Sequence, residues 1–193
     1  MSHVRLLLAA SLSLTTATLA ADVGQPAPAF SLRDEVGTPH TLAQYRGKIV
    51  VLEWTNPECP FVQRHYAGKT MQRTLASFSG KKVVWLAVDS TSHNTPAKSK
   101  SWKAEQGFSY PVLQDASGEV GLAYGAKTTP HMFVIDDKGV LRYAGGIDDD
   151  PRGRSTAPTN FVEKAVGALV AGQPVSPSTS DPYGCSVKYG KSS

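Results

Sequence analysis

Apolar residues fall along this chain in short runs separated by helical patterns. Ile49-Val50-Val51-Leu52, inside Lys48–Trp54, is a continuous apolar run with β-branched residues. That pattern predicts a central strand covered on both faces. Val83–Val88 is a second such run, closed by the polar loop Asp89-Ser90-Thr91, and Met132–Asp136 is a third. Shorter strands are predicted at Phe30–Leu32 and Tyr110–Leu113. Asp137-Lys138-Gly139 is a hairpin turn signal that returns the chain as a strand over Val140–Tyr143. Between the strands, one helix is predicted from Pro60 to Phe78, with Phe61, His65, Met71, Leu75 and Phe78 facing inward and a bend or interruption at Gly68. Others are predicted at Pro96–Gln106, Gly118–Tyr124 and Asn160–Ala171, the last capped by Gly172. Thr41–Tyr45 reads as a single helical turn. The alternation β-α-β-α-β-β-α predicts an α/β fold, a mixed central sheet flanked by helices on both faces.

The two ends of the chain read differently. Met1–Ala20 carries Arg5, an apolar stretch from Leu6 and a small-residue exit at Ala20-Ala21, the pattern of a secretory signal peptide. Its apolar stretch is diluted by Ser and Thr and is marginal for an uncleaved membrane anchor, the alternative reading. Residues 21–172 form the predicted domain. Residues 173–193 are a Pro/Ser/Gly-rich tail containing Cys185. An exported chain meets an oxidising environment, a bacterial periplasm being the expected one, where disulfides persist. With 193 residues and a charge of +4, there is room for one domain and no strong basic bias. Lys81-Lys82, Lys98, Lys100, Lys103, Arg152 and Arg154 are scattered and have no interleaved aromatics, so nucleic acid is not an expected partner. Asp148-Asp149-Asp150 reads as a solvated turn.

Two cysteines, Cys59 and Cys185, cannot build a four-cysteine zinc site or a four-cysteine iron–sulfur cluster. Cys59 follows the first apolar strand and immediately precedes Pro60, which suits the first turn of a helix. A thiol at a helix start is favoured as the nucleophilic thiolate by the partial positive charge and free N–H groups there. The plain alternative is a small buried hydrophobe. Thr128-Thr129-Pro130 stands at the entrance of the third strand, a place where proline is tolerated.

The segments Glu53-Trp54-Thr55-Asn56-Pro57-Glu58-Cys59-Pro60-Phe61-Val62, Thr129-Pro130-His131-Met132 and Gly184-Cys185-Ser186-Val187-Lys188 resemble the thioredoxin superfamily, and within it the peroxiredoxin-like (AhpC/TSA, redoxin) branch. The resemblance runs from about Gly24 to Tyr189. It implies a thioredoxin-like fold, a reactive Cys59, and a cis Pro130 facing it, with Thr129, Pro130, Asn56 and Pro60 positioning the substrate. It implies no cofactor and no metal. The partners it implies are a small peroxide or a protein thiol or disulfide, with an external reductant protein. Two departures narrow it. Val62 replaces the second cysteine of a Cys-x-x-Cys pair. Asn56 and Leu52 stand where typical peroxiredoxins carry Thr or Ser and Pro.

Cys185 has two open roles beside Cys59: a resolving thiol, or one half of a permanent Cys59–Cys185 staple holding the tail. The tail suits either a flexible arm or a segment needing a staple. His131, Glu58 and Glu53 are candidates for tuning the thiol or accepting its proton; each also reads as an ordinary strand or loop residue. His65, six positions after Cys59, is not on its helix face. The leading expectation is an exported thiol oxidoreductase. The alternatives are a non-enzymatic binding module with a structural disulfide, or a soft-metal (copper) binding protein.

Overall fold

All six residues of Ile49–Trp54 (β3) are buried, because both faces of this strand are covered. A computed structural model describes residues 21–190; the signal-peptide reading lies outside them. In chain order the other elements are β1 (Ser31–Arg33), β2 (Pro39–Thr41), a 3-10 turn (Leu42–Tyr45), α1 (Pro60–Ala67), α2 (Thr70–Ala76), β4 (Val83–Asp89), α3 (Pro96–Gln106) and β5 (Val112–Gln114). They continue with α4 (Glu119–Tyr124), β6 (Thr128–Thr129), β7 (His131–Ile135), β8 (Leu141–Gly145), α5 (Phe161–Val170) and β9 (Cys185–Ser186). The main sheet has the order β2-β1-β5-β4-β3-β7-β8. β3, β4 and β5 are parallel; β7, β8, β1 and β2 are joined antiparallel, so the sheet is mixed as the pattern predicts.

Alternation along β3 divides the core. Ile49 and Val51 point to a layer holding Cys59, Val62, Tyr66 and Met71 from the α1–α2 side, with Val162 and Val166 of α5. Val50, Leu52 and Trp54 point to the opposite layer, with Phe30, Tyr124 and Phe133. Each fully buried side chain of this size stabilises by roughly 1.5–3 kcal/mol. β3 therefore fixes the position of the loop that follows it, and that loop carries Cys59.

Of the two alternatives at Gly68, the structure takes the interruption, and the helix predicted over Pro60–Phe78 is two. Gly68 closes α1, and Lys69 takes a left-handed conformation, φ 56°, before α2 begins. Glycine weakens a helix interior by about 1 kcal/mol. The break is then held from outside: Lys69 Nζ and Gln72 Nε2 both donate to the Gln106 carbonyl at the end of α3. The short strand predicted at Tyr110–Leu113 lies at Val112–Gln114. The pairs β1–β2 and β6–β9 were not predicted; their strands are two or three residues long and carry no alternation signal.

Candidate active site: a thiol pair beneath a C-terminal strap

The loop after β3 is shaped by its own polar groups. Asn56 Oδ1 accepts from the Glu58 backbone N–H at 2.8 Å, and the Asn56 carbonyl accepts from Cys59 N–H at 3.0 Å. Cys59 is the N-cap of α1, with extended backbone, and Pro60 occupies the first helical position. The peptide between Thr129 and Pro130 is cis. Cys59 Sγ lies 3.0 Å from the Thr129 carbonyl oxygen, which places the thiol against that loop.

The tail completes the site. β9 pairs antiparallel with β6, Cys185 opposite Thr129, and the two sulfurs stand 2.7 Å apart as free thiols. Cys59 is 1% exposed, so the strap closes over it. The strap is fastened along its length. Ser180 Oγ lies 2.6 Å from the Tyr143 hydroxyl and accepts from Gly146 N–H. Val187 N–H donates to the Lys127 carbonyl, and the Tyr189 hydroxyl to that of Ala126.

Gly184 permits this approach. Its φ is +142°, and a Cβ there would lie 2.0 Å from the Thr129 carbonyl oxygen, a backbone atom that has no room to give. Gly184→Ala is therefore expected to lift the strap and expose Cys185. Its alkylation in the reduced protein should accelerate several-fold with little change in the thermal transition; an unchanged rate would contradict this account.

The two thiols are unequal. Burial pushes Cys59 up, but hydrogen bonding from the Cys185 thiol, from Thr129 and from the Val62 backbone outweighs it and holds Cys59 below the ordinary thiol range. Burial and the adjacent Cys59 push Cys185 up to about 11. A negative charge shared by the pair therefore rests on Cys59, at the helix start.

The other sequence candidates separate. Glu53 lies beneath α1, fully buried, its Oε2 accepting from Trp85 Nε1 at 2.9 Å and from the Tyr66 hydroxyl at 3.1 Å. Tyr66 also meets the Tyr110 hydroxyl at 2.8 Å. Burial raises the Glu53 carboxyl to about 7, against the lowering effect of those donors. Glu58 instead faces solvent, paired with His93 at 3.1 Å. His131 is not brought to the thiol: its ring lies 4.4 Å from that of Phe133, on the opposite face of the sheet. Its Nδ1 accepts from Lys127 N–H, and burial lowers it to about 4, so it is neutral at ordinary pH. A cationic His131 beside Cys59 is thus not what the fold provides, because side chains alternate along β7. The solvated turn predicted at Asp148-Asp149-Asp150 also needs correction. Asp148 is buried and bonded to Tyr183, because the strap crosses it. Tyr66 and Tyr183 were missed, and Gly184 and Asp148 were noted without the roles they take here. Only the Tyr-Gly-Cys spacing in the tail hinted at any of them. Among the described residues no group of three His, Cys, Asp or Glu side chains converges as a metal site.

A mixed sheet presenting a helix-capping thiol to a cis-proline loop defines the thioredoxin-like class of thiol redox proteins. The AhpC/TSA family pattern matches residues 23–144, and the chain belongs to that family. Among its relatives, it is 28% identical over 145 residues to thiol-disulfide oxidoreductase ResA of Geobacillus thermodenitrificans, covering 72% of this chain and 81% of that one. It is 30% identical over 137 residues to alkyl hydroperoxide reductase E of Mycobacterium bovis, covering 64% and 84%. A solved structure of a hypothetical protein from Sinorhizobium meliloti 1021 superposes with a TM-score of 0.80 at 26% identity, covering 90% of this chain and 98% of that one.

Proposed function

We propose that the chain is an exported thiol–disulfide oxidoreductase with Cys59 as nucleophile and Cys185 as resolving thiol. The carrying observation is the meeting of the two sulfurs, 2.7 Å apart, at the start of α1. The Cys59 thiolate attacks one sulfur of a substrate disulfide; a mixed disulfide forms and the other substrate sulfur leaves as a thiolate and takes a proton. Cys185 then attacks the Cys59 sulfur, forming the Cys59–Cys185 bond and releasing the second substrate thiol. Two electrons have passed to the substrate, and an external dithiol protein restores the pair. Thr129, Pro130, Asn56 and Pro60 frame the approach to Cys59. Glu53, buried on the face of β3 that carries Ile49 and Val51 toward the Cys59 layer and raised toward neutrality, is the carboxyl we assign to take or return the proton that resolution moves.

A peroxide is the second reading, supported by the family. Cys59 attack on its terminal oxygen gives a sulfenic acid and an alcohol or water, and Cys185 condenses with the sulfenic acid, releasing water. Against it, Asn56 and Leu52 replace the usual peroxide-holding residues, and the Asn56 oxygen is engaged by the loop. One buried hydroxyl nearby, Thr55 Oγ1, has no hydrogen bond of good geometry among the described residues, although it lies close enough to Glu53 to lower that carboxyl. The leader reading of residues 1–20 supports an oxidising compartment.

Cys185→Ser distinguishes the steps. Reduced wild type given oxidised glutathione should lose two hydrogens as the Cys59–Cys185 bond forms, whereas Cys185→Ser should stop with glutathione on Cys59. Both species are read by mass spectrometry. Wild type that keeps both thiols, or a variant that carries glutathione elsewhere, would overturn the assignment. A potential below about −300 mV would instead mark the bond as a structural staple.

A further inference from the structure

Tyr183 stands two residues before Cys185, where the strap meets α1. Its ring lies 6.1 Å from that of Phe61, and the Arg64 guanidinium sits over it at 5.8 Å. Its hydroxyl donates to Asp148 Oδ1, and His65 Nε2 lies 3.0 Å from the Tyr183 hydroxyl oxygen. A phenol has one proton. With that proton given to the carboxylate, the oxygen accepts from His65 Nε2–H. Asp148 and His65 are 5% and 4% exposed, so water offers them little substitute for this phenol. Arg64 also donates to the Asp150 and Pro151 carbonyls, 3.0 Å each, drawing the loop that carries Asp148 against α1. Three separate parts of the chain thus converge on one hydroxyl: the helix headed by Cys59, the loop after β8, and the strap.

We propose that Tyr183 is the positioning residue of the thiol pair, a latch whose hold on Asp148 and His65 sets the local concentration of Cys185 at Cys59. This rests on the assignment of Cys185 as resolving thiol. Because Ser180 on one side and Val187 and Tyr189 on the other are fastened independently, opening the latch frees the turn around Cys185 without detaching the strap. The latch thereby decides how readily Cys59 is yielded to an outside disulfide.

Tyr183→Phe removes the hydroxyl and keeps the ring. In glutathione buffers one oxidised glutathione and the thiol pair give the protein disulfide and two reduced glutathiones, so the equilibrium constant reads the effective concentration of the pair. It should fall about tenfold, from the loss of two hydrogen bonds, one of them to a carboxylate. In a Cys185→Ser background, where no protein disulfide can form, Tyr183→Phe should accelerate alkylation of Cys59 by a similar factor. Asp148→Asn keeps an acceptor and should shift both readouts less. A tenfold loss of closure corresponds to a fall of about 2–5 °C in the thermal transition; a general loosening of the fold would lower it much further. Unchanged alkylation of Cys59 in both variants would overturn the latch. If glutathione yields no disulfide in any of these proteins, the resolving role of Cys185 fails, while the alkylation rates still decide the latch.

Discussion

Glu53→Gln is expected to stabilise the reduced protein by about 2 kcal/mol at pH 8 and to destabilise it by about 1 kcal/mol near pH 4. The folded carboxyl titrates at about 7, above its ordinary value of 4.5, because burial disfavours the charged form. Below pH 4.5 both folded and unfolded chains hold the proton, and nothing is lost. Between 4.5 and 7 the unfolded chain releases it and the folded chain retains it, so stability falls as pH rises. Above 7 the buried carboxylate carries its full penalty, about 3 kcal/mol at 1.36 kcal/mol per unit. Glutamine avoids that penalty and keeps an oxygen for Trp85 and Tyr66. Its buried NH₂, facing the place where Glu53 Oε1 has no hydrogen bond of good geometry among the described residues, returns about 1 kcal/mol of cost. Urea midpoints of the two proteins at both pH values, thiols reduced, make the test; taking the difference cancels the other titrating groups. A variant less stable than wild type at pH 8 would remove Glu53 as a strained, near-neutral acid. On the proposed function the same variant exchanges disulfides more slowly, which would explain why a destabilising carboxylate is placed there.

Cys59→Ser is expected to reduce both disulfide exchange and peroxide consumption to the background without catalyst. A serine hydroxyl is not ionised at neutral pH and does not attack sulfur, whereas Cys59 is held below the ordinary thiol range. The fold should survive, since the loop is shaped by Asn56 and Pro60 rather than by the sulfur. Cys185→Ser should differ in kind, completing the first attack and stalling. Reduction of a disulfide-bonded protein by an external dithiol, followed with each variant, separates them. Appreciable turnover by Cys59→Ser would end the assignment of the nucleophile.

The strands that place Cys59 were legible because burial on both faces of β3, β4 and β7 demands unbroken apolar runs, and their sequences have them. Pro60 announced the start of α1. The break after α1 was only half legible: Gly68 marked a weak point, but the bonds that hold the break come from α3, and no local pattern reports a partner 37 residues away. The thiol pair was legible as two cysteines and not as a contact. A strand of two residues has no periodicity, and β6–β9 pairing depends on where the chain returns after 56 residues. Glu53 drew notice as a carboxylate in an apolar strand, while its donors Tyr66 and Trp85 come from other elements. His131 was left open between the site and an ordinary strand position, because adjacency to Pro130 in sequence says nothing about which face of β7 it takes.

The pairing of β9 with β6 has one more consequence. Thr128 and Thr129 are a strand outside the main sheet, and the strap alone satisfies that flank of their backbone. Whenever the strap lifts, the same movement that uncovers the sulfur bares a short row of unpaired N–H and C=O groups. Such a row invites any extended chain to add itself as a strand. The segment that shields the sulfur thus also covers a backbone edge that the main sheet leaves open.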